Sequence, residues 1–318
     1  MKRSMPVIAA LCALFVLVSA SSEVITQASR GLRLCGELIV PSLFPFFVLS
    51  FLLSRLGFPR LLGRLLSPLA RRLFRVSGPG ATALLIGLTG GYPMGAAYLA
   101  DLTERGSISP AETERLLGFC NNSGPAFLVG AIGAGVFSSF RAGLLLYASH
   151  VLAALTAGLL LRGLEAAPVA ESPPDAALPL PFPRALSESV RDSVPAILSV
   201  CGFVILFTVF TGLLEANGFL PALSLSLSSL TGLTGQQSQA LLLGFWELGS
   251  GVGALRGLPL TPGNLALSAA LVGWGGVSVH LQTLASLADL PIKSGRHMAG
   301  RLLSAALGAL FAWILALL

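Results

Sequence analysis

Few side chains in this sequence can do chemistry, and most of those that can stand inside apolar segments. Asn121-Asn122-Ser123, followed by Gly124-Pro125, interrupts an otherwise apolar helical stretch. Two amides buried in hydrocarbon without partners lose several kcal/mol, on the order of peptide-transfer values. They therefore contact a polar solute or ion, or cap the two half-helices that the break creates, and the two roles are compatible. Glu247 is the sole acid in a second broken segment, at the head of Glu247-Leu248-Gly249-Ser250-Gly251-Val252-Gly253. An ionisable group at that depth is expected to bind solute and to couple a cation or proton; a shallow segment would instead leave it wetted. His280 lies just beyond a further break and is either a second coupling group or a hydrogen-bonded packing residue. Gly90, Gly91, Tyr92 and Gly95 sit where backbone amides can approach a solute, or where a tight turn needs glycine for conformation alone. Ser250, Gly275, Gly276 and Ser278 complete the candidate solute-binding set as weaker polar or backbone contacts.

Other chemistries find little support. The sequence has no HExxH, no GxSxG and no paired carboxylates within one motif, and nothing local pairs Ser123 with His280, so no enzyme is expected. Cys12, Cys35, Cys120 and Cys201 lie at wide spacings that suit neither zinc nor a redox pair. No cofactor, metal or nucleic acid is expected.

Composition says what must position these groups. Of 318 residues, 54% are hydrophobic and 11% charged, against about 25% charged in an ordinary soluble domain. Such a chain needs lipid as its solvent, so an all-α polytopic membrane protein is expected. Reading along it, a first span covers about 6–22, a polar connection 23–37 and a second span 38–56. The segment 55–75, with Arg55, Arg60, Arg64, Arg71, Arg72 and Arg75 among leucines, reads as an amphipathic helix in the headgroup layer on the cytoplasmic side. The uncharged 78–100 is broken at Gly90–Gly95 into halves too short to span, which predicts a re-entrant hairpin. A polar surface turn, 101–115, leads into a broken helix over 110–137 and a span over 142–161. Residues 164–192, rich in proline, read as a cytoplasmic linker between two repeats, 38–163 and 193–318, with 1–37 outside them.

The second repeat follows the first: a span (195–214), a surface helix (217–237), a broken hairpin (241–255), a broken helix (262–287) and a final span (300–318). Leu85-Ile86-Gly87-Leu88 matches Leu242-Leu243-Gly244-Phe245 at an offset of 157, and Gly118-Phe119 matches Gly273-Trp274 at 155. The second surface helix has no Lys or Arg, as an inverted copy on the far side of the membrane requires. Orientation then runs from a cytoplasmic N-terminus, through Lys293, Arg296 and Arg301 back at the inner face, to a C-terminus outside. Arg141, His150 and Arg256 are placed near span ends at the interface. Two inverted repeats with broken helices are the plan of secondary transporters.

Gly-Gly-Tyr-Pro-Met-Gly-Ala (90–96) and Leu-Gly-Phe-Cys-Asn-Asn-Ser-Gly-Pro-Ala-Phe (117–127) resemble the sporulation integral membrane protein YlbJ family. That family belongs with the nucleoside-recognition Gate domains of concentrative nucleoside transporters, spore maturation proteins and FeoB-type iron transporters. The resemblance covers about 38–318. It implies hairpin tips and helix breaks that bind a small polar solute, and a setting in spore envelope or cortex formation. Asn121-Asn122-Ser123 stands where nucleoside carriers place an acidic Gln-Thr-Glu type cluster, and no GTPase motif is present. The expected function is a transporter-like protein of the bacterial cytoplasmic membrane that moves a small polar solute or cation. The alternative is a non-transporting scaffold for spore envelope assembly. Expected partners are the lipid bilayer, that unidentified solute or cation and, in a homo-oligomer, a second copy of the chain.

Overall fold

A computed structural model describes residues 4–162 and 179–318, and throughout these the ordered elements are helices. The helices are α1 (Ser4–Ser19), α2 (Ser21–Arg55), α3 (Phe58–Phe74), α4 (Gly78–Gly90), α5 (Met94–Glu104), α6 (Pro110–Cys120), α7 (Ala126–Val136), α8 (Phe140–Leu161), α9 (Phe182–Ala216), α10 (Phe219–Thr231), α11 (Gly235–Trp246), α12 (Leu248–Gly253), α13 (Pro262–Trp274), α14 (Gly276–Ala285) and α15 (Gly295–Leu317). Five stretches are long and apolar enough to cross a bilayer: α2, α8, α9, α13 with α14, and α15.

Local chemistry sets three half-helix starts where the sequence places them, whereas α11 begins at Gly235, ahead of the expected 241 and inside the segment read as surface helix 217–237. The Ser77 hydroxyl accepts from the Gly80 amide, Ser109 from Glu112 and Thr261 from Asn264, each with proline in the first helical turn. Thr234 and Gln237 close a reciprocal capping box at the start of α11. The breaks fall as expected, at 91–93, 121–125, 247 and 275.

Element order in the first half recurs in the second, with α3, α4–α5, α6–α7 and α8 answered by α10, α11–α12, α13–α14 and α15. Packing partners recur too: α3 lies on α4 as α10 lies on α11, α4 on α6 as α11 on α13, and α6 on α15 as α13 on α8. Backbones meet closely where residues are small. A side chain on Gly87 of α4 would strike the Cys120 carbonyl at the end of α6. On the outside, Leu61, Leu65, Leu198, Leu225 and Leu230 are exposed, as lipid-facing positions should be.

Four expectations are corrected. The supposed connection 23–37 is helical and continuous with the next span, because a wide π-type turn at Cys35–Ile39 absorbs Gly36 and Glu37 without a break. The linker ends early, since Phe182–Asp192 forms the first turns of α9, where Arg55 of α2 pairs with Glu188 and Asp192. Residues 163–178, with Pro168, Pro173 and Pro174, lie outside the described residues. Within the turn 101–115, Glu112 and Arg115 are buried: the Glu112 carboxylate accepts from the Ser77 amide at 2.6 Å, and Arg115 donates to the Arg75 carbonyl at 2.9 Å. His150 and Arg301 are buried within the bundle and not at the interface.

Candidate functional site

The interrupted points of the chain converge. Gly91, at the tip between α4 and α5, packs against Gly124 in the break between α6 and α7. Gly276, which opens α14, lies against the Trp246 carbonyl and the Leu248 amide at the tip between α11 and α12, while Gly275 touches the Tyr92 ring. Gly275 and Gly276 have φ near 88° and 83°, a region open to glycine and strained for other residues, so the α13–α14 break depends on them.

A cavity of about 50 Å³ lies at this convergence, enough for a few water molecules. Its polar wall is Tyr92, Ser123, Glu247, Ser278 and Gln282, with backbone from Gly91, Gly124 and Gly249; Leu43, Phe127, Val200 and Val204 form much of the apolar wall. Gly91, Tyr92, Ser123, Glu247 and Ser278 of the expected set thus line one space. The other expected residues are not part of its lining. Gly90 lies against Met94, and Gly95 packs on the backbone of Cys120 and Asn121. Asn121 donates to the Thr283 hydroxyl of α14 at 2.7 Å, and Asn122 donates to the Phe119 carbonyl at 2.7 Å. Ser250 contributes its amide to the Glu247 carboxylate, and His280 pairs with His297.

The capping reading of the first break holds for one of its two amides. Asn122 caps the end of α6, whereas Asn121 reaches across to the second half of the chain. Glu247 is 3% exposed, so it is not wetted at a surface. Its two oxygens accept from the Gly249 amide at 2.8 Å and the Ser250 amide at 2.5 Å, capping α12. Ser123 meets His150, not His280: the Ser123 amide donates to His150 Nε2 at 3.1 Å.

Arg301 is the group that residue-by-residue reading missed. Its placement one residue into an apolar run marked it as a surface charge, yet it is 0% exposed. Its guanidinium donates to Tyr92 Oη at 2.5 Å, Asn122 Oδ1 at 3.3 Å and Ser304 Oγ at 3.1 Å, and its Nε has no partner. Tyr92 passes the contact on, donating to the Val272 carbonyl at 3.1 Å. Among the described residues no carboxylate pairs with Arg301, so a full positive charge rests on neutral dipoles. His150 faces the same break. Since its Nε2 accepts a hydrogen bond, the neutral ring carries its proton on Nδ1, which is buried without an acceptor.

No protein-family model matches the chain. Its fold is that of CNTnw: the structure of CNTnw in an inward-facing substrate-bound state aligns with a TM-score of 0.57 at 15% identity, over 99% of this chain and 85% of that one. Variants of CNTnw in an intermediate state and an outward-facing state align with TM-scores of 0.56 and 0.57. In sequence, the chain is 33% identical to the sporulation integral membrane protein YlbJ of Bacillus subtilis (strain 168) over 321 aligned residues, which cover 91% of this chain and 77% of that protein. With its transporter-like fold and broken apolar helices, this multi-pass membrane protein belongs to the sporulation integral membrane protein YlbJ family.

Proposed function

We propose that this chain is a secondary carrier for a small solute bearing an acidic group, such as a carboxylate or phosphate. The observation that carries the reading is Arg301. A fully buried guanidinium without a counter-ion is unfavourable by several kcal/mol, and inside a membrane protein such a charge is retained where it meets a ligand. Its neighbours favour an anion: the unpartnered donors Arg301 Nε and His150 Nδ1 flank one helix break, at Asn122 and Ser123. Tyr92 stands between Arg301 and the cavity, and its phenol oxygen occupies a guanidinium donor that a solute oxygen would take. Glu247 and Gln282 across the cavity suit hydroxyl or amine groups on the same solute. Alternating access then comes from movement of the α4–α5 and α11–α12 hairpins against α8, α9 and α15, with the second repeat inverted relative to the first. The name of the Bacillus relative supports a setting in spore formation, and the arginines of α3 support insertion in the cytoplasmic membrane with that helix inside.

A thermal-shift screen of the detergent-purified chain against carboxylates, phosphates, nucleosides and monovalent cations tests this. Acidic solutes should raise the melting temperature of the wild type and leave Arg301→Gln unmoved. Stabilisation by nucleosides or cations alone, undiminished in Arg301→Gln, would overturn the anionic reading. Absence of any shift, with a sporulation phenotype that tolerates Asn121→Ala and Glu247→Leu, would favour the scaffold.

A further inference from the structure

His280 and His297 form a buried pair that the solute reading leaves unused. His280 stands on α14, just past the Gly275–Gly276 break, and His297 on α15. His280 Nδ1 and His297 Nε2 are 2.9 Å apart, and His297 Nδ1 lies 3.5 Å from the Leu117 carbonyl of α6. A carbonyl oxygen only accepts. The tautomers that satisfy both contacts place a proton on His297 Nδ1, facing Leu117, and another on His280 Nδ1, donated to His297 Nε2. His280 Nε2 is then a bare lone pair, buried and without a partner. The Trp274 indole packs on the His280 imidazole in a T-shaped contact, with ring centroids 4.3 Å apart. The pair therefore has one vacant proton position, on an element that abuts a break.

The charge facing this position is Arg301, four residues beyond His297 and so on the same face of α15. The elements packed against the pair bring few other titratable groups. α15 adds Arg296, α6 brings Glu112, Glu114, Arg115 and Cys120, α8 brings Arg141, Tyr147 and His150, and α9 brings Cys201 in its middle turns. α11, α12, α13 and the rest of α14 bring none, and Glu247 stands between α11 and α12. While Arg301 lacks an anion, a proton on the pair sets two positive charges together in a poorly screened interior; once an acidic group neutralises Arg301, that repulsion is gone. Each ligand then raises the affinity for the other by the same factor.

We propose that the His280–His297 pair is the proton site of the carrier, taking one proton from water at His280 Nε2 when an acidic solute seats on Arg301, so that solute and proton cross together. No bond in the solute is made or broken, and both ligands leave on the far side. This rests on the anionic reading of Arg301, and the test separates the two.

Calorimetric titration of the purified full chain would use pyruvate, and sulfate as an oxyanion without a carboxylate; both stay ionised from pH 5.5 to 7.5, so any pH dependence belongs to the protein. The expected result is binding that tightens up to about tenfold per unit fall in pH, with one proton taken up per anion. His280→Asn should bind the anion with no pH dependence, His297→Gln, whose carbonyl oxygen can still accept from His280 Nδ1, should keep the dependence, and Arg301→Gln should not bind the anion. A second arm needs no ligand: 15N-histidine NMR on a chain with three histidines, assigned by the single variants. There Arg301→Gln should raise the proton affinity of the pair at least tenfold, and Arg301→Lys, which keeps the charge, should leave it unchanged. Anion binding that depends on Arg301 but not on pH would overturn the proton site and leave the anionic reading intact. A pH dependence that survives in His280→Asn would likewise overturn it. Failure of both anions to bind a folded wild type would overturn the coupling through Arg301. In that case a raised proton affinity in Arg301→Gln would show that the pair still takes protons and that the anionic reading was the part that failed.

Discussion

Three side chains carry the argument at the residue scale, and each has a separable role. Glu247 accepts two backbone N–H groups with two carboxylate oxygens, whereas a glutamine has one carbonyl oxygen for the same task. Glu247→Gln therefore leaves one buried amide unsatisfied and should lower stability by about 1–3 kcal/mol, read as a drop in thermal midpoint of the ligand-free protein. Asn121→Ala removes only the bond to Thr283, worth about 1 kcal/mol, but that bond ties the first break to α14. Its expected signature is a near-normal midpoint with solute uptake into proteoliposomes reduced at least tenfold; uptake at the wild-type rate would remove Asn121 from the transport machinery. In the proposed carrier, Arg301 is the residue on which the solute chemistry would turn, since Tyr92, Asn122 and Ser304 supply dipoles and no charge.

At the scale of elements, the hairpins hold their place through backbone proximity. Gly87 of α4 lies so close to the Cys120 carbonyl that a methyl group there must separate α4 from the end of α6. Gly87→Ala should cost about 3 kcal/mol or more, as overpacking of a close interface does, and should sharply reduce folded protein recovered from membranes. Gly202, in α9 with open space around its Cβ direction, is the matched control: Gly202→Ala should leave recovery unchanged or improve it slightly. The caps act more mildly. Thr234→Ala takes away the hydroxyl half of the capping box at α11, leaving the backbone N–H of residue 234 on the Gln237 side chain, and should cost about 1 kcal/mol, measurable as a lower midpoint with unaltered solute binding.

Across the whole molecule, the recurrence of elements and packing partners brings two tips and two breaks to one cavity, whereas the surface helices α3 and α10 differ in charge. Arg71 and Arg72 lie in the last turn of α3, and α10 has no Lys or Arg. If the second repeat is inverted, these helices lie on opposite faces of the membrane. A membrane-impermeant maleimide applied to intact cells should then label Ser229→Cys on α10 and spare Ser67→Cys on α3, in a background where the exposed Cys12 is serine. Labelling of both positions, or of neither, would contradict the inversion.

The membrane class, the four breaks, three of the half-helix starts and the family were legible in the residues alone. They depend on composition, on proline and glycine that interrupt backbone hydrogen bonds, and on serine and threonine that cap, and all of these act over a few neighbouring positions. Tyr92, Ser123, Glu247 and Ser278 could be singled out for the same local reason, as polar groups in apolar runs beside a break. The roles of Arg301, His150 and His297 could not. Each lies in a helix whose local sequence suits an interface as well as an interior, and only packing of α15 against α6 and α8 decides which. The contacts that define the site join residues far apart in the chain, Arg301 to Tyr92, Asn121 to Thr283 and His297 to Leu117. No spacing within a segment encodes such pairings, because they arise when the two halves of the chain meet and exclude water and lipid from between them.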